Sequence, residues 1–596
     1  MNISTAKKVT AMMRRIFDSS APTVPINGQR PGKPEFCPRR SEMKDHGVIG
    51  SGINPRALGG LLREIKSDGS LNIHSLLVLK DGKLVCDASF GMHTTDIPKQ
   101  TFSQCKSIVS LAIGMLTDEG KLSLDEKVVP IFQAETGAIA KIALRDLKVE
   151  HLLTMTSTVQ FNEAEAMCES DWISCFMNSS LKGEIGKTFN YNSLNTYMLA
   201  AIVVRKSGVS LTEYLKPRLF DKLGITEYFW EKSPEGIEKG GWGLYIRPDD
   251  MAKIGVMLQN GGIYNGERIL SGEYIDMATH TRVQPPPEVS TNGYGFQIWS
   301  GDGFFIFNGM FGQNLICFRD TGVVLVSNGG TGELFQSSSF YGMVTNAFAK
   351  ADSDMFAPSA SGDGEFLEET LRYIAFKRPA AIYKPKNAKR GLLARLFKRS
   401  GARETVDPLL RFSGVTLETE DRHAASAGLM PAILQITQNT YTKGIKRVSF
   451  SDNGGVLAVT FDEDGDEHVL NVGYYEPAVS HLDFSGEKYY VTASGRAAKN
   501  EDGEDVLTVD ADFTETPFSR RIKFVFGEHG VSVYMTEQPS AKFISDSALN
   551  VKQMLSESAL LRLILGRIDD DFLDFKAERI FAPKFEMTVK QEKQMK

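Results

Sequence analysis

Ser103 and Lys106 stand one helical turn apart in the run Phe102-Ser103-Gln104-Cys105-Lys106-Ser107, at the head of an apolar stretch. On a helix, positions i and i+3 share a face, with Cβ atoms about 5–6 Å apart. The serine then meets the positive end of the helix dipole. Ile108, Val109, Ala112, Ile113 and Leu116 make the rest of the helix a core element, so the lysine at its mouth is desolvated. Desolvation disfavours the ammonium and lowers the lysine pKa. An uncharged amine can take the proton of the serine hydroxyl, which is the chemistry of Ser-Lys acyl transfer. The spacing alone is weak. Ser4…Lys7, Ser41…Lys44, Ser179…Lys182 and Ser485…Lys488 repeat it without an apolar helix behind them and read as solvated surface.

Two further segments could complete such a site. Tyr191-Asn192-Ser193 precedes a second apolar run, Tyr197 to Val204, that closes near Gly208. It sets a phenol and a hydroxyl at another helix mouth. A phenol beside an ammonium has its pKa lowered and can relay protons. Phe307-Asn308-Gly309-Met310-Phe311-Gly312-Gln313-Asn314 runs on through Leu315–Phe318, turns at Asp320-Thr321-Gly322 and returns as Val323–Asn328. This reads as strands whose glycines permit close approach to a ligand. A strand edge beside a nucleophile can offer an N–H to an oxyanion. Ser75–Lys80, Asp81-Gly82 and Lys83–Asp87 form a strong hairpin signal. Together with the strands near 304–328 it predicts an antiparallel sheet, with helices clustered between; the class is α+β.

In this order the segments resemble the serine β-lactamase and penicillin-binding-protein superfamily, with the nearest look to its class C-like, esterase and 6-aminohexanoate-dimer-hydrolase branch. Leu144-Arg145-Asp146-Leu147, His151–Ser157, Gly240-Gly241-Trp242-Gly243-Leu244-Tyr245, Pro248–Gly255, Gly266–Ser271 and Tyr294–Trp299 support it. The resemblance implies an antiparallel sheet flanked by helices, with an all-helical subdomain. It implies Ser103 as the acylated nucleophile, Lys106 as its general base, Tyr191 as the proton shuttle to the leaving group, and Ser193 as a support for the Lys–Tyr network. The oxyanion hole would be the backbone N–H groups of Ser103 and Met310. Water would then attack the acyl-serine, with Tyr191 and Lys106 as bases.

One departure matters. Many relatives carry Lys-Thr-Gly or His-x-Gly where this chain has Phe307-Asn308-Gly309. The missing cation speaks against penicillin hydrolysis and carboxypeptidase action. The Gly309-x-x-Gly312-Gln313 pattern resembles the amide- and ester-hydrolysing branch instead. Asn308, Gly309 and Gln313 are therefore candidates for substrate contact. So are Asp171 and Trp172, for which a surface acid beside a half-buried tryptophan is the plainer reading. The expected function is a serine hydrolase cleaving an amide or ester of a small substrate. The alternatives are a β-lactamase or D-Ala/D-amino-acid peptidase, and a catalytically silent ligand-binding protein on the same fold.

The chain has 596 residues, 42% hydrophobic and 24% charged, enough for two or three domains with cores. Its formal net charge of −6 offers no field for nucleic acid or anionic membranes. Cys37, Cys86, Cys105, Cys168, Cys175 and Cys317 show no C-x-x-C spacing, which favours free thiols and a cytoplasmic setting. Cys105 should turn inward from its helix. The histidines are scattered, so neither a metal nor any other cofactor is expected, and His74 and His151 read as structural. No run is long enough to span a bilayer. Association into homo-oligomers is left open.

Five regions are expected. Residues 1–47 are a polar, Pro-rich leader wrapping the next domain. Residues 48–355 are the β-lactamase-like domain. Residues 356–404 hold a helix near Glu365–Phe376 and a basic linker, whose 390–399 segment could lie on a membrane but more simply is solvated. Residues 405–545 carry short alternating strands between Asn-Gly, Asp-Gly and His-Gly turns, which argues for a small antiparallel β-barrel or sandwich, lipocalin-like in outline. Asp462–Asp466 resembles part of a calcium loop but reads as a hairpin tip. Residues 546–596 are expected to be a helical tail.

Overall fold

The computed structural model of the chain describes Lys8 and residues 32–41, 43, 45–376, 407–421, 423–424, 427–438, 440–540 and 579–590. The basic 390–399 segment and the leucine-rich part of the expected tail lie outside the described residues. The first sheet contains β1 (Ile73–Lys80), β2 (Lys83–Ser89), β3 (Gly293–Tyr294), β4 (Trp299–Gly301), β5 (Phe304–Gly309), β6 (Gln313–Phe318) and β7 (Val323–Gly329). Their order is β2-β1-β7-β6-β5-β4-β3, with every pair antiparallel. Asp81 and Gly82, both at positive φ, make the β1–β2 turn.

The central strands carry unbroken apolar runs because both faces of the sheet are covered. Leu76 and Val78 of β1 enter one core with α1 (Pro55–Ser67), while Leu77 and Leu79 enter another with α2 (Cys105–Asp118). Side chains alternate across a strand, so consecutive apolar residues serve opposite faces. Helix α2 is buried from Cys105 through Leu116. It packs against α3 (Ser193–Ser207) and, at Gly114, against the ring of Tyr274, which stands 2.5 Å from where a Cβ would be. Helix α4 (Pro248–Gln259) covers the same face, and α5 (Ser339–Phe348) and α6 (Asp363–Ile374) join α1 on the other.

The second domain is a near-closed antiparallel barrel. Its strands are β8 (Thr416–Glu418), β9 (Arg447–Asn453), β10 (Val456–Glu463), β11 (Asp466–Val472), β12 (Ala478–Phe484), β13 (Glu487–Lys499), β14 (Asp505–Phe513), β15 (Ser519–Phe526), β16 (Val531–Gln538) and β17 (Lys584–Val589). Alternate residues such as Val531, Val533 and Met535 fill the interior, which is packed with side chains. Asp464 and Gly465, at positive φ, form the β10–β11 hairpin tip. The expectation of a helical tail is corrected at β17. Phe585 and Met587 alternate with exposed neighbours, and the strand pairs with β8 and β16 to close the barrel. The leucines of the tail dominate its hydrophobicity and hide this short period-2 signal.

The barrel sits directly on the first domain. Lys99 Nζ donates to Thr514 O at 2.6 Å, and Gln100 N donates to Glu515 O at 2.8 Å. Burial pushes the Lys99 amine down to about 7. Lys33, from the leader, forms an ion pair with Glu515 at 2.6 Å, both groups being buried. A buried pair of this kind fixes a geometry more surely than it stabilises it, because desolvation offsets much of the attraction.

Candidate active site

Ser103 lies on a short 3-10 turn, Phe102–Gln104, that leads into α2. Phe102 holds φ at +48°, an unusual conformation for a bulky side chain. Such a residue costs on the order of 1–3 kcal/mol and persists only where its surroundings enforce it. Here Gln104 N bonds to Thr101 O, and the Thr101 backbone N–H and hydroxyl both donate to Leu244 O.

Lys106 Nζ donates to Ser103 Oγ at 2.7 Å and to Gly241 O at 2.7 Å, with the lysine almost wholly buried. Burial pushes its pKa down to about 8, and Glu163 nearby opposes the shift. The Tyr191 ring centroid is 5.1 Å from the same amine. Tyr191 is stacked on Trp299 and met edge-on by Phe335, so its direction is fixed by an aromatic box. The three side chains named from the sequence therefore meet in one place. The expected lowering of the tyrosine pKa is corrected. Desolvation pushes the phenol well above its usual range, and a hydrogen bond with Ser103 only partly opposes this.

The end of β5 presses against the serine turn. At Gly309 a Cβ would stand 2.2 Å from Thr101 O and 3.2 Å from Gln104 N. The strand end that leads into Met310 is thereby packed on the turn that carries Ser103. Phe311 follows at φ +68°, and its ring meets that of Phe102 edge-on at 5.1 Å.

The other candidates are placed as follows. Ser193 is the first residue of α3; Asn192 caps the helix by accepting from Leu194 N, and Ser193 N donates to Glu163 Oε1 at 3.0 Å. Asn308 is buried and engaged: Nδ2 donates to Asn314 Oδ1 and Tyr341 OH, and Oδ1 accepts from Gln336. Gln313 is likewise internal, donating to Gly329 O and accepting from Asn328. Asp171 is an exposed helix cap for Ser174 N. Trp172 is buried between Trp242 and Tyr197, with its indole N–H on Glu169 O. These four side chains are occupied structurally.

Glu163, the Gly241 carbonyl and the Trp299–Phe335 box were not singled out by sequence reasoning. An Asn162-x-x-Glu165 capping box was there to be read, and it fixes the turn that carries Glu163. Nothing local marks Phe335 as a neighbour of Tyr191. Glu333 is a buried carboxylate whose backbone oxygen accepts from Phe311 N; burial pushes its pKa up to about 7. Among the described residues no His/Cys/Asp/Glu group could hold a metal ion.

All six cysteines are free thiols. The Cys105 thiol turns inward onto Gly240 O and Phe102 O, and burial pushes it up to about 12. Iodoacetamide should therefore modify exposed Cys37 on the native protein and spare Cys105. A peptide map with Cys105 alkylated as fast as Cys37 would reinstate it as a candidate nucleophile. His74 is buried and stacked on His93, and His151 Nδ1 accepts from Lys148 N within a helix cap.

A serine and lysine at the head of a buried helix, a tyrosine ahead of a second one, and a strand end beside them thus come together on an α+β sheet domain. Residues 63–337 match the family model described as Beta-lactamase. Over these residues the chain is similar to the serine β-lactamase and penicillin-binding-protein superfamily. It is 24% identical over 220 residues to 6-aminohexanoate-dimer hydrolase of Paenarthrobacter ureafaciens, a match spanning 34% of this chain and 56% of that protein. Among solved structures it is similar to a penicillin-binding protein from Bacillus halodurans, with 20% identity, TM-score 0.38, and coverage of 48% of this chain and 97% of that one. It is also similar to the octameric penicillin-binding-protein homologue from Pyrococcus abyssi, with 17% identity, TM-score 0.38, and coverage of 76% and 98%. Among the described residues no helix is long and apolar enough to cross a membrane.

Proposed function

We propose that the protein is a cytoplasmic serine hydrolase that cleaves an amide or ester bond of a small substrate through an acyl-Ser103 intermediate. The observation that carries this reading is the buried Lys106 amine on Ser103 Oγ at 2.7 Å. The uncharged amine takes the hydroxyl proton as Oγ attacks the carbonyl carbon. The oxyanion is held by the N–H groups of Ser103 and Met310. Lys106 then returns the proton to the leaving group through the Tyr191 hydroxyl, which its raised pKa keeps protonated. Water, activated by the same amine, releases the acyl group.

The charge near the site bears on the substrate. Phe307 stands where the family's cation would be, and the side chain of neighbouring Asn308 is already engaged. The carboxylate of Glu163 lies within electrostatic range of both Lys106 and Tyr191. Neutral or cationic substrates, such as short acyl esters and amino-acid amides, fit this better than carboxylate-bearing penicillins. The hydrolase name of the Paenarthrobacter relative agrees with an amide bond as target.

The test is a fluorophosphonate probe with mass mapping, alongside turnover of short acyl esters, D-amino-acid amides and penicillins. Label on Ser103 and hydrolysis of an ester or amide are expected. Because only uncharged Lys106 is a base, acylation should rise as pH increases through about 8 and fall below it. No label, or a Ser103→Ala variant matching wild type, would leave a binding protein as the better reading. A turned-over penicillin adduct would favour the β-lactamase reading.

A further inference from the structure

We infer that the barrel positions the oxyanion site, through the loop that joins β14 to β15 and above all through Phe518. This rests on the reading of Ser103 as nucleophile. The loop touches the first domain at points flanking the reaction centre. Its Thr514 and Glu515 carbonyls accept from Lys99 Nζ and Gln100 N, in the segment that enters the serine turn. The Pro517 carbonyl lies against Gly330, where a Cβ would stand 2.4 Å away. Phe518 is buried and meets Phe102 and Phe311 edge-on, with ring centroids at 6.2 and 5.5 Å.

Those two phenylalanines are the neighbours in sequence of the two oxyanion donors. Phe102 precedes Ser103, Phe311 follows Met310, and both hold positive φ. Their rings belong to the barrel's apolar core rather than to the core of their own domain. A side chain in that core thus holds two unfavourable backbone conformations in place, and with them the spacing of the Ser103 and Met310 N–H groups. Loss of the Phe518 ring leaves Phe102 and Phe311 free to relax to negative φ, which turns the donors away. Phe518 is a positioning residue: it touches no reacting atom.

The experiment uses the full chain with Phe518→Ala, Phe518→Leu and, as a barrel-core control remote from the junction, Phe524→Leu, which loses the edge contact with Phe450. For Phe518→Ala, the labelling rate by fluorophosphonate and kcat on a short acyl ester should fall about 10- to 100-fold, with KM shifting less than about threefold. Phe518→Leu should fall between this and wild type, and Phe524→Leu should keep the wild-type rate. Amide hydrogen exchange gives a readout independent of activity. The 101–105 and 309–313 segments should exchange faster in both Phe518 variants and not in Phe524→Leu. Unchanged exchange in those segments, or equal slowing by Phe524→Leu, overturns the inference. A wild-type protein that takes no label would remove the hydrolase reading, while the exchange comparison would still decide whether the barrel holds these turns.

Discussion

Lys106→Met should lower kcat/KM for an acyl ester by at least about 10³-fold while leaving the protein folded. Methionine fills nearly the same volume but has no amine, so Ser103 keeps its hydroxyl and loses its base. The stability effect has the opposite sign to the activity effect. The lysine pKa is about 8 in the folded chain against an ordinary value of 10.5. Between those values the unfolded chain binds more protons than the folded one, so the wild type gains stability as pH rises through that window. Below pH 8 the folded chain carries the whole penalty, on the order of 3 kcal/mol, against which two hydrogen bonds of about 1 kcal/mol each are lost on substitution. The variant should therefore melt no lower than wild type at pH 7, and this margin should vanish near pH 10. Ester turnover and thermal melts at the two pH values check it. Retained turnover would take the lysine out of the mechanism. A large drop in melting temperature would show that the amine is held mainly by its hydrogen bonds.

The legible parts of this site are those encoded within one or two helical turns. Ser103 stands on the turn that leads into the helix of Lys106, so their spacing and the apolar run behind them pointed one at the other. Tyr191 could be named from its place before α3, but its chemistry could not. The rings that fix its direction, Trp299 and Phe335, lie more than a hundred residues away, and its pKa is raised by burial, which the hydrogen bond with Ser103 only partly opposes. Asn308 and Gln313 illustrate a second limit. A polar residue beside a glycine in a strand suggests a ligand contact, yet here Asn314, Tyr341, Gly329 and Asn328 occupy their hydrogen-bonding groups.

The fold divides in the same way. The hairpin β1–β2 and most barrel strands announce themselves by alternation and by Asp-Gly or Asn-Gly turns. Strands β8, β12 and β17 escaped, two of them because they are short or masked by apolar neighbours. The docking of one domain on the other is spread over single residues: Lys33, Lys99, Glu515 and Phe518 come from separate parts of the chain and carry no pattern in common. A buried phenylalanine that serves its own core and one that serves a neighbouring domain look identical in a sequence, because burial alone sets the residue type.

Gly309→Ala should cut ester turnover by about 10²–10³-fold. The backbone at Gly309 has ordinary extended angles, so the requirement is for space and not for a left-handed conformation. The added Cβ would stand 2.2 Å from a backbone oxygen, that of Thr101, which cannot swing aside as a side chain could. Either the end of β5 or the serine turn has to retreat. Each route separates the Met310 N–H from Ser103, and losing one oxyanion donor typically costs about 10²–10³ in turnover. Overpacking of this kind also costs about 1–3 kcal/mol of stability. Gly60→Ala is the matched control. It adds the same methyl group to an exposed site on α1 with nothing within 4 Å, where it should stabilise by roughly 0.5–1 kcal/mol and leave turnover unchanged. Turnover and denaturant midpoints of the two variants separate the contributions. If Gly309→Ala turns over an ester at the wild-type rate, then the strand end and the serine turn do not hold the oxyanion between them, and the second donor has to be sought on another segment.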